Sequence, residues 1–212
     1  MKEKVKKVKE ESTAYELQEY TYQDILEIND ENRYEIIDGK LYIMESPKPK
    51  HQMYLGEIYR QFANYLFGKT CIAFMAPSDV KLNRSFTKEL KNIYKKIKNY
   101  VQPDIYVICN RNIIDNTGIL GVPDMVIEIL SHTSKQHDLI KKFNLYQKYE
   151  VKEYVIVDPI DEKILIYILE NKKYILQKEC KITDNIKINT LENLTIDLKD
   201  FYNSNQELLN RI

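Results

Sequence analysis

Val122-Pro-Asp-Met-Val-Ile-Glu-Ile-Leu130 is an almost continuous apolar run with one charged side chain, Glu128, in its middle. A run of this kind reads as a strand covered on both faces. Ser134 or Thr133 then starts a helix to about Tyr149, with Leu139, Phe143, Leu145 and Tyr146 turned inward. Glu153-Tyr-Val-Ile-Val-Asp158 follows as another strand. Strand, helix and strand over residues 122–158 make a crossover unit, which fixes the class as mixed α/β.

Hairpins flank that unit on both sides. Upstream, Tyr34 to Ile43 forms two short strands around Asp38-Gly39, the residue pair that tight hairpin turns favour. Thr21-Tyr-Gln-Asp24 has the spacing of a helix start. Leu55, Ile58, Tyr59, Phe62 and Leu66 recur at helical spacing between His51 and Phe67, and Gly68 stops that helix. Cys71 to Leu82 reads as an extended strand broken near Pro77, and Pro103 to Ile108 as another strand. Downstream come strands at Lys163–Leu169 and Lys173–Leu176, then a short helix near Leu198–Tyr202. Residues 1–12 alternate Lys and Glu and read as a flexible tail, leaving 13–212 as one domain.

Composition narrows the function classes. With 43% hydrophobic residues over 212 positions, a packed domain is expected and full-length disorder is excluded. The 32 basic and 32 acidic side chains cancel, which excludes a polybasic mode of nucleic-acid binding for the whole chain but leaves a local basic surface open. No stretch reaches the roughly 18 apolar residues of a membrane helix. The charged N-terminus has no apolar segment behind it, so it does not read as a secretory signal. Cys71, Cys109 and Cys180 are odd in number and far apart, and read as buried or free thiols of a cytoplasmic protein.

Glu128 carries the chemistry. A buried carboxylate without a partner costs several kcal/mol, so it calls for a cation. One candidate is a helix lysine such as Lys142, which would make the pair structural. The other is a metal, because Asp104 opens a separate strand and two converging carboxylates repel until a divalent ion joins them. Hard oxygen ligands suit Mg²⁺ or Mn²⁺. Lys142 lies one helical turn from both Asp138 and Tyr146, so the three share a face, and such a lysine can orient water or stabilise charge on a phosphate.

Val101-Gln-Pro-Asp104 followed by Pro123-Asp-Met-Val-Ile-Glu-Ile-Leu-Ser131 resembles the P-D…(D/E)-x-K arrangement of restriction-endonuclease-like nucleases, except that position 130 is Leu where the motif has Lys. More closely, the chain resembles the bacterial Uma2 family, a branch in which that Lys has moved to the next helix. The matching stretches are Arg33-Tyr-Glu-Ile-Ile-Asp-Gly39, Ser46-Pro-Lys-Pro-Lys-His51-Gln52, Ala76-Pro-Ser-Asp-Val80, Gly121-Val-Pro-Asp124, Asp138 with Lys142 and Tyr146, and Glu153 to Pro159. The resemblance implies a restriction-endonuclease-like core, a mixed β-sheet flanked by helices with added hairpins. It implies Asp104 and Glu128 as metal ligands, Lys142 as the displaced catalytic Lys, Glu35 as a further acid and His51 at the family's His-Gln pair. A homodimer is expected on the same ground.

His132 stands where the family has Pro, and segment 84–99 is longer and more basic than a hairpin turn requires. Asp124 shares strand parity with Glu128, so both could point the same way, but its place beside Pro123 at the strand entrance favours a capping or loop-fixing role. His132 and His137 lack the company of soft ligands that zinc needs. Six basic side chains (Arg84, Lys88, Lys91, Lys95, Lys96, Lys98) face one acid, Glu89, between positions 84 and 98. They are either a solvated loop or phosphate contacts, with Lys91, Lys95, Lys96 and Lys98 the candidates for gripping nucleic acid. The expectation is a metal-dependent endonuclease acting on phosphodiester bonds, most naturally in DNA. The rivals are a non-catalytic nucleic-acid- or protein-binding module on the same scaffold, and a metal-free acid/base hydrolase.

Overall fold

The computed structural model describes residues 19–84, 92–131 and 135–212. The expected tail over residues 1–12, Lys88, Lys91, His132 and the helix start at Thr133 or Ser134 lie outside them. The chain forms two compact units, one of Met1–Ser46, Asp79–Gln102 and Ile113–Val122, the other of Pro47–Ser78, Pro103–Asn112 and Pro123–Ile212. Among the described residues no helix is long and apolar enough to cross a membrane.

The first unit holds helix α1 (Tyr22–Glu27) and strands β1 (Arg33–Ile37), β2 (Lys40–Met44), β4 (Val80–Lys81), β5 (Tyr100–Val101), β7 (Ile114–Asp115) and β8 (Gly118–Leu120) in one sheet of order β2-β1-β5-β4-β8-β7. Helix α1 starts where expected, the Thr21 backbone N–H donating to the Asp24 carboxylate at 2.9 Å. Ile37 pairs with Lys40 across Asp38 and Gly39, whose φ values of 47° and 76° are those a two-residue turn requires. A side chain at Gly118 would meet the Asp79 carbonyl at 2.4 Å, so that position needs glycine. The unit's interior carries a polar network. The buried Lys81 ammonium donates to the Thr117 carbonyl at 2.6 Å and hydroxyl at 2.7 Å, and lies 5.0 Å from the Tyr22 ring centre. Asp79 accepts from Tyr22, Tyr100 and Gln102. Burial lowers the Lys81 pKa, against the pull of Asp115 and Asp79.

The basic segment is built into this unit from Asn92 onward. Ile93 and Ile97 are buried with Tyr20, Tyr22, Ile36 and Tyr100, and the Gly39 N–H donates to the Lys98 carbonyl at 2.9 Å. Lys95, Lys96 and Lys98 remain exposed, Lys98 pairing with Glu19.

The second unit is a sheet of order β12-β11-β10-β9-β6-β3, made of β3 (Ile72–Met75), β6 (Ile105–Ile108), β9 (Met125–Ile129), β10 (Glu153–Asp158), β11 (Lys163–Glu170) and β12 (Lys173–Lys181). Strands β9 and β10 are parallel, as the crossover requires, and the remaining pairs are antiparallel. Every residue of β9 is buried, matching its apolar sequence. Helix α2 (Pro49–Leu66) begins on Pro49, a good first helical residue, and packs Tyr54, Leu55, Ile58, Phe62 and Leu66 into the core. A π-helical turn over His137–Lys142 leads into α3 (Phe143–Tyr149). Strands β13 (Ile186–Lys187) and β14 (Thr195–Ile196) form a small separate pair, and helix α4 (Lys199–Arg211) closes the chain.

Three expectations change. Cys71 and Cys109 are not free thiols: they form a disulfide. They are 38 residues apart in sequence, but Ile72 pairs with Ile108 across antiparallel β3 and β6, which sets the two flanking cysteines face to face. Cys180 is free and buried. Strand β12 runs on to Lys181 past a register shift opposite Ile166 and Tyr167. The last helix extends to Arg211, because Leu209 continues its buried side.

Candidate active site

Asp104 and Glu128 approach each other because β6 and β9 are neighbours, with Ile105 opposite Ile127. Their carboxylates are interlocked through the backbone. The Asp104 N–H donates to Glu128 Oε2 at 3.2 Å, and the N–H of Ile129, next to Glu128, donates to Asp104 Oδ2 at 2.7 Å. His51, in the first turn of α2, brings Nε2 to 2.9 Å from the same Asp104 Oδ2. Asp104 Oδ1 has no hydrogen-bond partner among the described residues, and the side chain keeps 16% of its surface open. Glu128 is 2% exposed.

The helical segment after β9 supplies the cation. Lys142 Nζ lies 3.0 Å from Glu128 Oε1 and 3.6 Å from Asp138 Oδ1. The Tyr146 hydroxyl donates to Glu128 Oε1 at 2.7 Å. Lys142, Asp138 and Tyr146 therefore share one buried face, as their spacing predicts, while Lys141 is exposed. The π turn is held from the sheet: the Asp138 carbonyl accepts from the Phe143 N–H and from the Tyr154 hydroxyl at 3.1 Å. Burial, and then Glu128, push the Tyr154 phenol well above its ordinary pKa, which keeps it a neutral donor. Such turns are concentrated at functional positions.

The structure thus brings Asp104, Glu128, Lys142 and His51 together in the second unit. Glu35 lies in the first unit, buried, where it accepts from the Gln102 N–H at 3.0 Å; Lys95, Lys96 and Lys98 belong to that unit too. Asp124 holds loops, accepting from the Cys109 N–H at 2.7 Å and pairing with Lys152 at 2.6 Å. The contacts of Tyr146 and His51 with the acids were not derivable from spacing, since each joins residues on separate elements. A cavity of about 710 Å³ near Phe67, Lys69 and Arg111 includes none of the four in its lining.

Among the described residues no group of three His, Cys, Asp or Glu side chains is arranged to hold a metal. Mg²⁺ does not need one, since it is commonly held by one or two carboxylates with water and substrate oxygens completing its shell. Asp104, with Oδ1 unengaged, and the adjoining Glu128 carboxylate fit that pattern of donors.

A sheet with antiparallel edges and a parallel centre, flanked by helices, makes the second unit a mixed α/β fold. A solved structure from Anabaena variabilis, described as a "putative nuclease belonging to DUF820", superposes with a TM-score of 0.63 at 20% identity, covering 87% of this chain and 98% of that one. The Uma2 family model, described as "Putative restriction endonuclease", matches residues 17–199, and the chain belongs to that family. "Uncharacterized protein slr1290" of Synechocystis is 26% identical over 136 residues, 64% of this chain; the match spans 65% of the length of that relative.

Proposed function

We propose that the protein is a metal-dependent endonuclease that hydrolyses phosphodiester bonds in DNA. The observation that carries this reading is the interlocked pair Asp104–Glu128 with the Lys142 ammonium 3.0 Å from Glu128. Family membership and the fold support it. Asp104 and Glu128 would hold Mg²⁺ or Mn²⁺, which supplies polarisation of the scissile phosphate and a lower pKa for an attacking water. Lys142 orients that water from beside Glu128 and offsets negative charge as it builds on the phosphate. His51, with the Ile129 N–H, fixes one oxygen of Asp104 and so leaves the other turned to the ligand.

The test is cleavage of supercoiled plasmid with Mg²⁺ or Mn²⁺, compared with EDTA and with Glu128→Gln. Nicking that needs the cation and disappears in the variant is expected; equal nicking in EDTA would overturn the metal dependence. One observation favours a second reading, a binding module without cleavage: Glu128 already accepts from Lys142, Tyr146 and the Asp104 N–H. That reading predicts DNA retention in a gel-shift assay with no nicking under any cation.

A further inference from the structure

The terminal torsion of a carboxylate side chain is broad and roughly two-fold, so packing alone does not decide which oxygen faces a ligand. In this site the choice is made by hydrogen bonds, and for each acid two donors converge on one oxygen. Asp104 Oδ2 receives the Ile129 N–H at 2.7 Å and faces His51 Nε2 at 2.9 Å. Glu128 Oε1 receives Lys142 at 3.0 Å and Tyr146 at 2.7 Å, while Oε2 is turned to the Asp104 backbone.

The two donors on Glu128 differ in kind. An ammonium on a long flexible stem is a point charge that can bridge both oxygens of a carboxylate. A phenol hydroxyl on a rigid ring cannot follow such a rotation. Tyr146 is fully buried, and its ring packs edge-on against Tyr154 at 5.1 Å, so its hydroxyl is fixed in direction.

From this we infer that Tyr146 is a positioning residue: it pins Glu128 Oε1 so that Lys142 cannot close over both oxygens, and keeps Oε2 beside Asp104 for the cation. The inference rests on the metal-dependent reading above. Removing the hydroxyl leaves Lys142 and Glu128 free to form a two-oxygen pair that competes with the metal. Losses on removing such supporting groups run to about 10–100-fold in metal affinity.

The experiment is calorimetric titration of the full chain with Mn²⁺, for the wild type, Tyr146→Phe and Tyr174→Phe. Tyr174 also gives a buried hydroxyl bond, to the Val151 carbonyl at 3.0 Å, away from both acids, and serves as the structural control. Tyr146→Phe is expected to fold and to bind Mn²⁺ at least about tenfold more weakly, with Tyr174→Phe unchanged. Equal affinity in Tyr146→Phe and the wild type would overturn the role of Tyr146 and leave the metal site standing. Equal weakening in both variants would make the effect a general loss of packing, and failure of Tyr146→Phe to fold would make the hydroxyl a folding element; either overturns the inference. Absence of Mn²⁺ binding by the wild type would remove the metal-dependent reading and the inference with it.

Discussion

Lys142→Met separates what the lysine does for the fold from what it does for the chemistry. Methionine keeps most of the length and removes the charge. Glu128 and Asp138, 2% and 3% exposed, then lose the ammonium that lies 3.0 and 3.6 Å from them. Breaking a buried ion pair from one side costs about 3–5 kcal/mol, because the remaining charge stays desolvated. For 212 residues the unfolding entropy is about 0.45 kcal/mol/K, so the melting temperature should fall by about 7–11 °C. The two acids at β6 and β9 should then hold a divalent ion at least as well as before, since their internal competitor is gone. Mn²⁺ at a hundred times its dissociation constant returns about 2.7 kcal/mol. Differential scanning calorimetry with and without Mn²⁺, beside a plasmid assay, reads all three quantities. The expected pattern is a lower melting point, a Mn²⁺ increment no smaller than in the wild type, and no cleavage even where Mn²⁺ has restored stability. A variant that melts within 2 °C of the wild type (about 1 kcal/mol on the same scale) would refute the buried pair. A variant that cuts DNA would refute the role of Lys142.

The disulfide gives an independent prediction: closing a loop over a separation of 38 residues contributes about 4 kcal/mol in the chain-entropy account, so urea melts with reductant should show a loss approaching that value. Replacing Lys95, Lys96 and Lys98 with Ser should flatten the salt dependence of DNA binding by about 0.9 per phosphate contact removed, and an unchanged slope would assign them to solvent. Burial, and then the hydrogen bond to Asp30, push the Tyr34 phenol up to about 12 from 10.0. Its proton is therefore held more tightly in the folded state, so its stabilising contribution is complete below pH 10 and is lost as pH rises toward 12. Tyr34→Phe should soften that alkaline limb in pH-dependent melts.

The elements whose signals are local were legible in the sequence. The Asp38-Gly39 turn, the Thr21–Asp24 helix start and the apolar run of β9 each depend on neighbours within a few residues, and each stands where its pattern puts it. Long-range pairing was not legible. Nothing within reach of Cys71 points to Cys109; only the antiparallel register of β3 and β6 joins them. The packing of the basic segment from Asn92 onward was not legible either, because Ile93 and Ile97 are too few to show a helical or strand period, yet both are buried in one cluster with Tyr22. In the site, the strand positions of Asp104 and Glu128 and the helix face of Lys142 could be read from spacing. The contact of His51 with Asp104 could not, since it joins residues 53 apart in the chain.

Leu130 explains why the lysine comes from a helix. Side chains at 128 and 130 share one face of a strand, so a lysine at 130 would reach Glu128 with no help from any other element. Here Leu130 is 3% exposed and its N–H continues the β9–β10 ladder to the Val157 carbonyl at 2.8 Å. The ammonium comes instead from the π turn, and so depends on more structure. Tyr154 of β10 must hold the Asp138 carbonyl, Tyr146 must stay buried against Tyr154, and the turn must keep its register. Opening of the 137–149 segment would therefore withdraw Lys142 and Tyr146 together, while Glu128 stayed in the sheet and Asp104 at the entrance of β6. The metal-holding and phosphate-facing halves of the proposed site thus rest on separate elements. Hydrogen exchange should find the amides of α3 opening at lower free energy than those of β9, and cation binding to the sheet acids should protect β9 without equal effect on α3.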